Sequence, residues 1–520
     1  MPVGKVIAAT TSVLALALLG EPSVGVTGTV KLDGHALLEI GRVDDRYQSY
    51  NVEMAEIIGG RFWKPYAHMS ASSGTVHPSG AGLDTNRFES RPPVDLYNSR
   101  LRNLAAALGP AYIRVSGSWA NSVYFQDNDD APLQMPPPGF RGVLTRAQWR
   151  GVVDFAHSVN AKLVTSFAIN DAVRDGSGTW TPIEAGPLIA FTHAMGGEIY
   201  AAELFNEPNL SSLGGGPARY GAADFARDES IFRAFISRVA PDLKITGPGD
   251  AVSGNVSGPG ILRAEALAAG NPQPRFDIFS YHFYGAVSQR CAPPASPIGT
   301  SARQALTEQW LARTDVAFQS HKALRNRFAP NAPIWITETA GAACGGTPWD
   351  ATFLDTFRYL DQLGRLAKQG ARAVFHNTLA ASDYGLIDDT TLKPRPSYWA
   401  AVLWRRLMGT VALDAGPLRP GLHVYGHCLR ERSGGVAFLA INIGNSPANI
   451  AWSGPAEIYD LTAPQLESSD ILLNGHPLQA GADGRIPELQ PMHSTKASEV
   501  LAPTSIAFVA LPHARNPRCS

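Results

Sequence analysis

This chain has little that would suit a metal, a nucleotide or a polyanion. It carries four cysteines, Cys291, Cys344, Cys428 and Cys519, and no two are spaced as a zinc site requires, so no metal is expected. No Gly-x-Gly-x-x-Gly follows the first strand of its alternating region, which leaves a doubly wound dinucleotide-binding sheet unsupported and no cofactor implied. Charged residues make up only 17% of 520, with a formal net charge of -1. The whole chain therefore offers no electrostatic case for nucleic acid or an anionic membrane, although a local basic pocket for an acidic sugar is compatible with it. No internal repeat or long low-complexity segment stands out. The apolar run Val6 to Leu19 behind Lys5 is short for a membrane span and suits a secretory signal over residues 1–20. Export would permit the even cysteine count to form two disulfides. The expected location is secreted or periplasmic, with no membrane association once the signal is removed.

The length is too great for one small core and suits a barrel-sized domain with a smaller companion. Gly28 to Leu32 and His35 to Ile40 read as two short strands about an Asp33-Gly34 turn. Strands and helical stretches then alternate. The strands are Tyr50–Glu53, Tyr112–Val115, Leu163–Phe167, the run from Glu198 that ends at Glu207, Lys244–Thr246, Phe276–Tyr281, Ile334–Thr337 and Ala373–His376. Helical spacing marks Val94–Leu108, Thr145–Val159, Phe225–Val239, the stretch through Phe353, Phe357, Leu360 and Leu363, and Tyr398–Met408. Eight such repeats are what a (β/α)8 barrel requires, over residues 46–408. Beyond Gly409 only strands recur, which predicts a C-terminal β-sandwich over 409–520 that residues 21–45 join.

In a barrel of this kind, chemistry sits at the C-terminal ends of the strands. Glu53, Arg114, Asn206, Glu207, His282, Tyr284 and Glu338 all fall at or just past strand ends. Glu207, in Glu203-Leu204-Phe205-Asn206-Glu207-Pro208-Asn209, and Glu338, in Ile336-Thr337-Glu338-Thr339, form the carboxylate pair that glycosidic cleavage needs. Glu207 is assigned as acid/base and Glu338 as nucleophile, with Asn206 toward the sugar 2-hydroxyl and Tyr284 orienting the nucleophile. Taken singly, an Asn-Glu-Pro is as well read as a turn, and a strand-end glutamate as a surface ion pair. Their joint placement on strands four and seven favours catalysis. Glu203 reads as structural support deeper in the barrel, and Arg114 as the partner of a carboxylate near the site or of a purely structural one.

These residues resemble the clan-A glycoside hydrolases, and within them family 79, the heparanases and β-glucuronidases. The narrower likeness lies in Glu338-Thr339 followed by Gly345-Gly346, in Asp383-Tyr384-Gly385-Leu386-Ile387-Asp388, and in Pro396-Ser397-Tyr398-Trp399. The resemblance implies that Tyr384 and backbone N–H groups around Gly345 hold a glucuronate carboxylate, and that Glu53 binds sugar hydroxyls; His282, placed by its strand end, is also expected to contact the substrate. It also implies that Cys428 pairs with Cys519. Ala343, Cys344 and Ser382 depart from the family pattern, and Cys344 is free to pair with Cys291 instead. The absence of a dense basic run near the site favours an exo-acting β-glucuronidase over an endo-acting enzyme on glycosaminoglycans. The Pro-rich loop Trp119 to Phe140 would decide between pocket and cleft. The remaining alternatives are an arabinofuranosidase or xylosidase of the same clan, and a carbohydrate-binding barrel without activity.

Overall fold

The computed structural model describes residues 28–69, 87–253, 261–292 and 296–520; the expected signal at 1–20 lies outside them. Eight parallel strands close into a barrel in chain order. They are β1 (Gln48–Glu53), β2 (Ala111–Ser116), β3 (Ala161–Ser166), β4 (Ile199–Glu203), β5 (Lys244–Ser253), β6 (Ile278–Val287), β7 (Ile334–Ala343) and β8 (Ala373–His376). Tyr112, Val164, Trp335 and Phe375 fill the interior at the N-terminal end of the strands. Further along β2 the residues on the same face as Tyr112 are Arg114 and Ser116. The barrel is thus dry at its base and polar at its mouth.

β5, β6 and β7 run several residues longer than the sequence suggests. In β5 the Gly247-Pro248-Gly249 stretch reads as a break, yet Gly247 and Pro248 stay paired with the next strand and pairing continues from Asp250 after a register shift. The helix expected from Val94 begins at Ser99, because the Asn98 side chain accepts from the Arg100 and Leu101 amides and caps it there.

The strands Thr29–Leu32 and Glu39–Arg42 do not form the expected hairpin. The first runs parallel to Ala448–Trp452 in a three-stranded sheet, and the second is antiparallel to Met408–Leu413 in a nine-stranded one. These two sheets enclose a common apolar core that includes Val30, Trp452, Phe438 and Val509. Along Val436–Asn442, the side chains of Val436, Phe438 and Ala440 enter that core, while Ala437, Leu439 and Ile441 pack on the barrel side. Burial on both faces explains why this run is apolar throughout instead of alternating.

Candidate active site

Two local distortions aim the carboxylates. Regular strand geometry in β4 stops at Glu203, and Glu207 lies beyond it with φ 54° and ψ 64°. This left-handed conformation costs a non-glycine residue about 1–2 kcal/mol. The surroundings impose it. Asn121 grips Asn206 at both backbone atoms, accepting from its N–H at 2.9 Å and donating to its carbonyl at 2.9 Å, and also donates to the Gly214 carbonyl at 3.0 Å. In β7, Tyr281 pairs with Ile336 and His282 with Glu338 on one side, while Ile336 pairs with Val374 and Thr339 with His376 on the other. Both neighbours therefore see one extra residue, a bulge about Thr337. Since Trp335 faces inward, plain alternation would turn Glu338 outward; the bulge turns it in.

One carboxylate oxygen of Glu207, one of Glu338 and a ring nitrogen of His282 lie within 4.8 Å of one another. Glu338 is buried and held from two sides, with Tyr284 donating to Oε1 at 2.5 Å and Arg114 Nη1 donating to Oε2 at 3.0 Å. Arg114 is fully buried; its other nitrogens reach Glu203, Asn206 Oδ1 at 2.7 Å and His282 Nε2 at 3.2 Å. A guanidinium can only donate, so His282 Nε2 presents its lone pair and the ring proton sits on Nδ1. That proton points at Glu207 Oε1, 3.1 Å away. Burial lowers the His282 pKa, with the Glu338 charge opposing it and Arg114's charge adding to it. The Glu207–His282–Glu338 trio could ligate a cation, but Arg114 already supplies positive charge against two of its members.

Burial raises the Glu207 carboxyl to about 7, with Asp250's charge reinforcing the shift and Arg114's opposing it; its side chain is 14% exposed. Glu53, at the end of β1, is pushed well above the ordinary range by burial and then by the Glu338 charge. Asn377 Nδ2 reaches Glu53 Oε1 at 3.2 Å, Tyr284 Oη at 3.0 Å and Tyr384 Oη at 3.2 Å, which links three of the expected site residues. Tyr384 is buried against Tyr284 and Ala340.

Gly345 has φ +82°, and a Cβ there would lie 2.5 Å from Trp63 Cβ and 2.8 Å from Ser382 Oγ. Of the amides around it, Gly346 N–H already donates to the Ala342 carbonyl and Thr347 N–H to Asp350. This narrows the expected group of carboxylate-binding amides. Cys291 pairs with Cys344, and Cys428 with Cys519. The first disulfide joins the loops after β6 and β7. Beside it, Arg290 donates to Asp383 at 2.6 Å and to the Lys64 carbonyl at 2.5 Å, while Tyr66 bonds Ser288 Oγ at 2.7 Å. Four loops are thereby tied into one wall next to Tyr384. The Trp119–Phe140 loop is fixed to the β3 loop by Asn170, which donates to the Gly139 carbonyl at 2.7 Å, and its residues 127–135 are exposed.

Sequence reasoning missed Asn121 and Asn377. Each is an ordinary loop amide in sequence, and its importance lies in partners that are distant along the chain. A hollow of about 660 Å³ between helix Arg146–Ser158 and the starts of β3 and β4 is lined by Arg150, Lys162 and Tyr200; it lies at the opposite end of the barrel from the carboxylates.

No family model matches the chain. Its sequence is 26% identical over 499 residues to heparanase-like protein 1 of Arabidopsis thaliana, spanning 82% of this chain and 86% of that one. It is 25% identical over 469 residues to baicalin-β-D-glucuronidase of Scutellaria baicalensis, spanning 81% and 84%. Its fold matches the crystal structure of a 4-O-α-L-rhamnosyl-β-D-glucuronidase from Fusarium oxysporum with a TM-score of 0.62 at 14% identity, covering 90% of this chain and 97% of that one. A closed barrel with acidic residues gathered at its mouth, together with a likeness that spans about four fifths of each chain, supports a glycoside hydrolase similar to the heparanases and β-glucuronidases.

Proposed function

We propose that the chain is a retaining exo-β-glucuronidase in which Glu207 is the acid/base and Glu338 the nucleophile. The observation that carries this reading is the approach of the two carboxylates to within 4.8 Å. Retaining glycosidases hold their pair about 5–5.5 Å apart, whereas inverting ones need roughly 6.5–9.5 Å to admit a water. Glu207, kept protonated up to about pH 7, gives its proton to the glycosidic oxygen as the bond to C1 breaks. Glu338 attacks C1 from the other face and forms a glycosyl ester. Glu207, now a carboxylate, takes a proton from the water that cleaves the ester and so regains its acid form. Asn206 and Glu53 serve the sugar hydroxyls, and Tyr384 the glucuronate carboxylate. Neutral donors suit that carboxylate, because charge-assisted hydrogen bonds are strong without a buried countercharge.

Exo action is supported by the wall of Tyr66, Arg290, Cys344 and Asp383, whose loops are bonded together beside Tyr384. The buried guanidiniums there, Arg114 and Arg290, are both paired with carboxylates and so are not offered to a sulfated polymer. The apolar leader at 1–20 and the two disulfides support export.

On an aryl β-glucuronide, Glu207→Gln is expected to lower kcat by about 10²–10⁴, the usual worth of a general acid. Glu338→Gln should abolish turnover, and a glucuronate-configured mechanism-based inactivator should add one label at Glu338 by mass. A glucuronate-capped oligosaccharide should release the monosaccharide. Undiminished turnover in either variant, or release of larger fragments from the oligosaccharide, would contradict the respective assignment. Higher rates on an aryl xyloside or arabinofuranoside than on the glucuronide would point to the other clan-A activities.

A further inference from the structure

Asn377 directly follows β8, anchored by its own N–H donating to the Thr339 carbonyl at 2.8 Å, and its side chain is buried in the mouth. The Nδ2 atom that faces Glu53, Tyr284 and Tyr384 carries two protons and cannot accept. With two protons facing three acceptors, it takes a proton from neither phenol, and each tyrosine keeps its own proton for another partner. Tyr284 spends its proton on Glu338 Oε1. Among the described residues, no acceptor takes the proton of Tyr384.

We propose that Asn377 is a positioning residue that sets the direction of both hydroxyls, committing Tyr284's proton to the nucleophile and reserving Tyr384's for the substrate carboxylate. The inference rests on the glucuronidase reading above. The reverse amide orientation would turn Oδ1 toward the two hydroxyls and draw both tyrosine protons inward, taking Tyr284 off Glu338. Aspartate has the same shape and, when ionised, only accepts, so Asn377→Asp assayed at a pH where its carboxyl is ionised imposes that reversed state.

The experiment compares kcat and KM of the wild type, Asn377→Asp, Tyr384→Phe and the double variant on matched aryl β-glucuronide and β-glucoside, with melting temperatures alongside. Tyr384→Phe is expected to raise KM for the glucuronide at least about tenfold and to leave the glucoside nearly unchanged. Asn377→Asp should show the same KM rise together with a fall in kcat on both substrates, through Tyr284. Adding Tyr384→Phe to Asn377→Asp should change the glucuronide KM less than about twofold, because that hydroxyl is already misdirected. Should Asn377→Asp not fold, Asn377→Ser is read by the same non-additivity. Preserved glucuronide preference in the Asn377 variants, or fully multiplicative effects, would overturn the inference. A wild type with no preference for the glucuronide would instead refute the underlying reading before any variant is compared.

Discussion

Glu207 works between opposing charges. Burial raises its carboxyl to about 7, Asp250 pushes the same way, and Arg114 pulls it down. In the acid role proposed for it, Glu207 must be protonated when substrate binds, so kcat/KM should fall as pH rises through about 7. Asp250→Asn removes one of the two raising influences and should move that basic limb to lower pH. A limb that stays in place would remove Asp250 from the account. Glu207 and Glu338 were legible in the sequence because a carboxylate at a strand end is visible without knowing what it faces. The left-handed backbone at Glu207 was not, because it depends on Asn121, which holds the neighbouring Asn206 from 85 positions away in the chain. Asn377 was hidden for the same reason, since its three partners come from β1, β6 and the loop that holds Tyr384.

Among the elements, the β7 bulge and the turn after β2 do the aiming. Eight strands and their order could be read from the alternation of apolar runs, because burial dictates that pattern. Bulges could not, since a single inserted residue leaves the composition of a strand unchanged. Gly117, just past β2, has φ +91°, and a Cβ there would sit 1.6 Å from Glu53 Oε2. Gly117→Ala should therefore displace the Glu53 carboxylate, and steady-state kinetics should show a raised KM with a larger loss than the change in melting temperature explains. An unchanged KM would mean that Glu53 does not touch the sugar. The Cys291–Cys344 bridge spans 53 positions, and closing a loop of that size is worth up to about 4 kcal/mol against the unfolded chain. Replacing both cysteines with serine should lower stability in denaturant titration and raise KM for the glucuronide, because the bridge ends beside Gly345.

Across the whole molecule, the barrel and the nine-stranded sheet meet at an ionic cluster, buried at His423 and Asp361 and exposed at Glu308, that no local sequence pattern announces. His423, from the strand Leu422–Leu429, offers Nδ1 to Asp361 at 2.6 Å and Nε2 to Glu308 at 2.9 Å, both on the barrel side. Asp361 also accepts from Tyr425 at 2.6 Å and from Arg365 at 2.6 Å. Burial opposes the charged imidazole, yet the two carboxylates prevail and raise His423 to about 9. Because its folded pKa lies above the unfolded value of about 6.5, the stabilisation is complete below pH 6.5 and is lost as pH rises through about 9. The shift corresponds to roughly 3 kcal/mol. His423→Gln keeps a donor but no charge, so it should destabilise the protein by that order at pH 6. The stability gap between wild type and variant, measured by denaturant unfolding, should narrow steadily between pH 7 and pH 9.5. A gap that stays constant over this range would show that His423 is neutral in the folded protein. The interface would then be held by the apolar face of Ala437, Leu439 and Ile441 without help from the ion pairs.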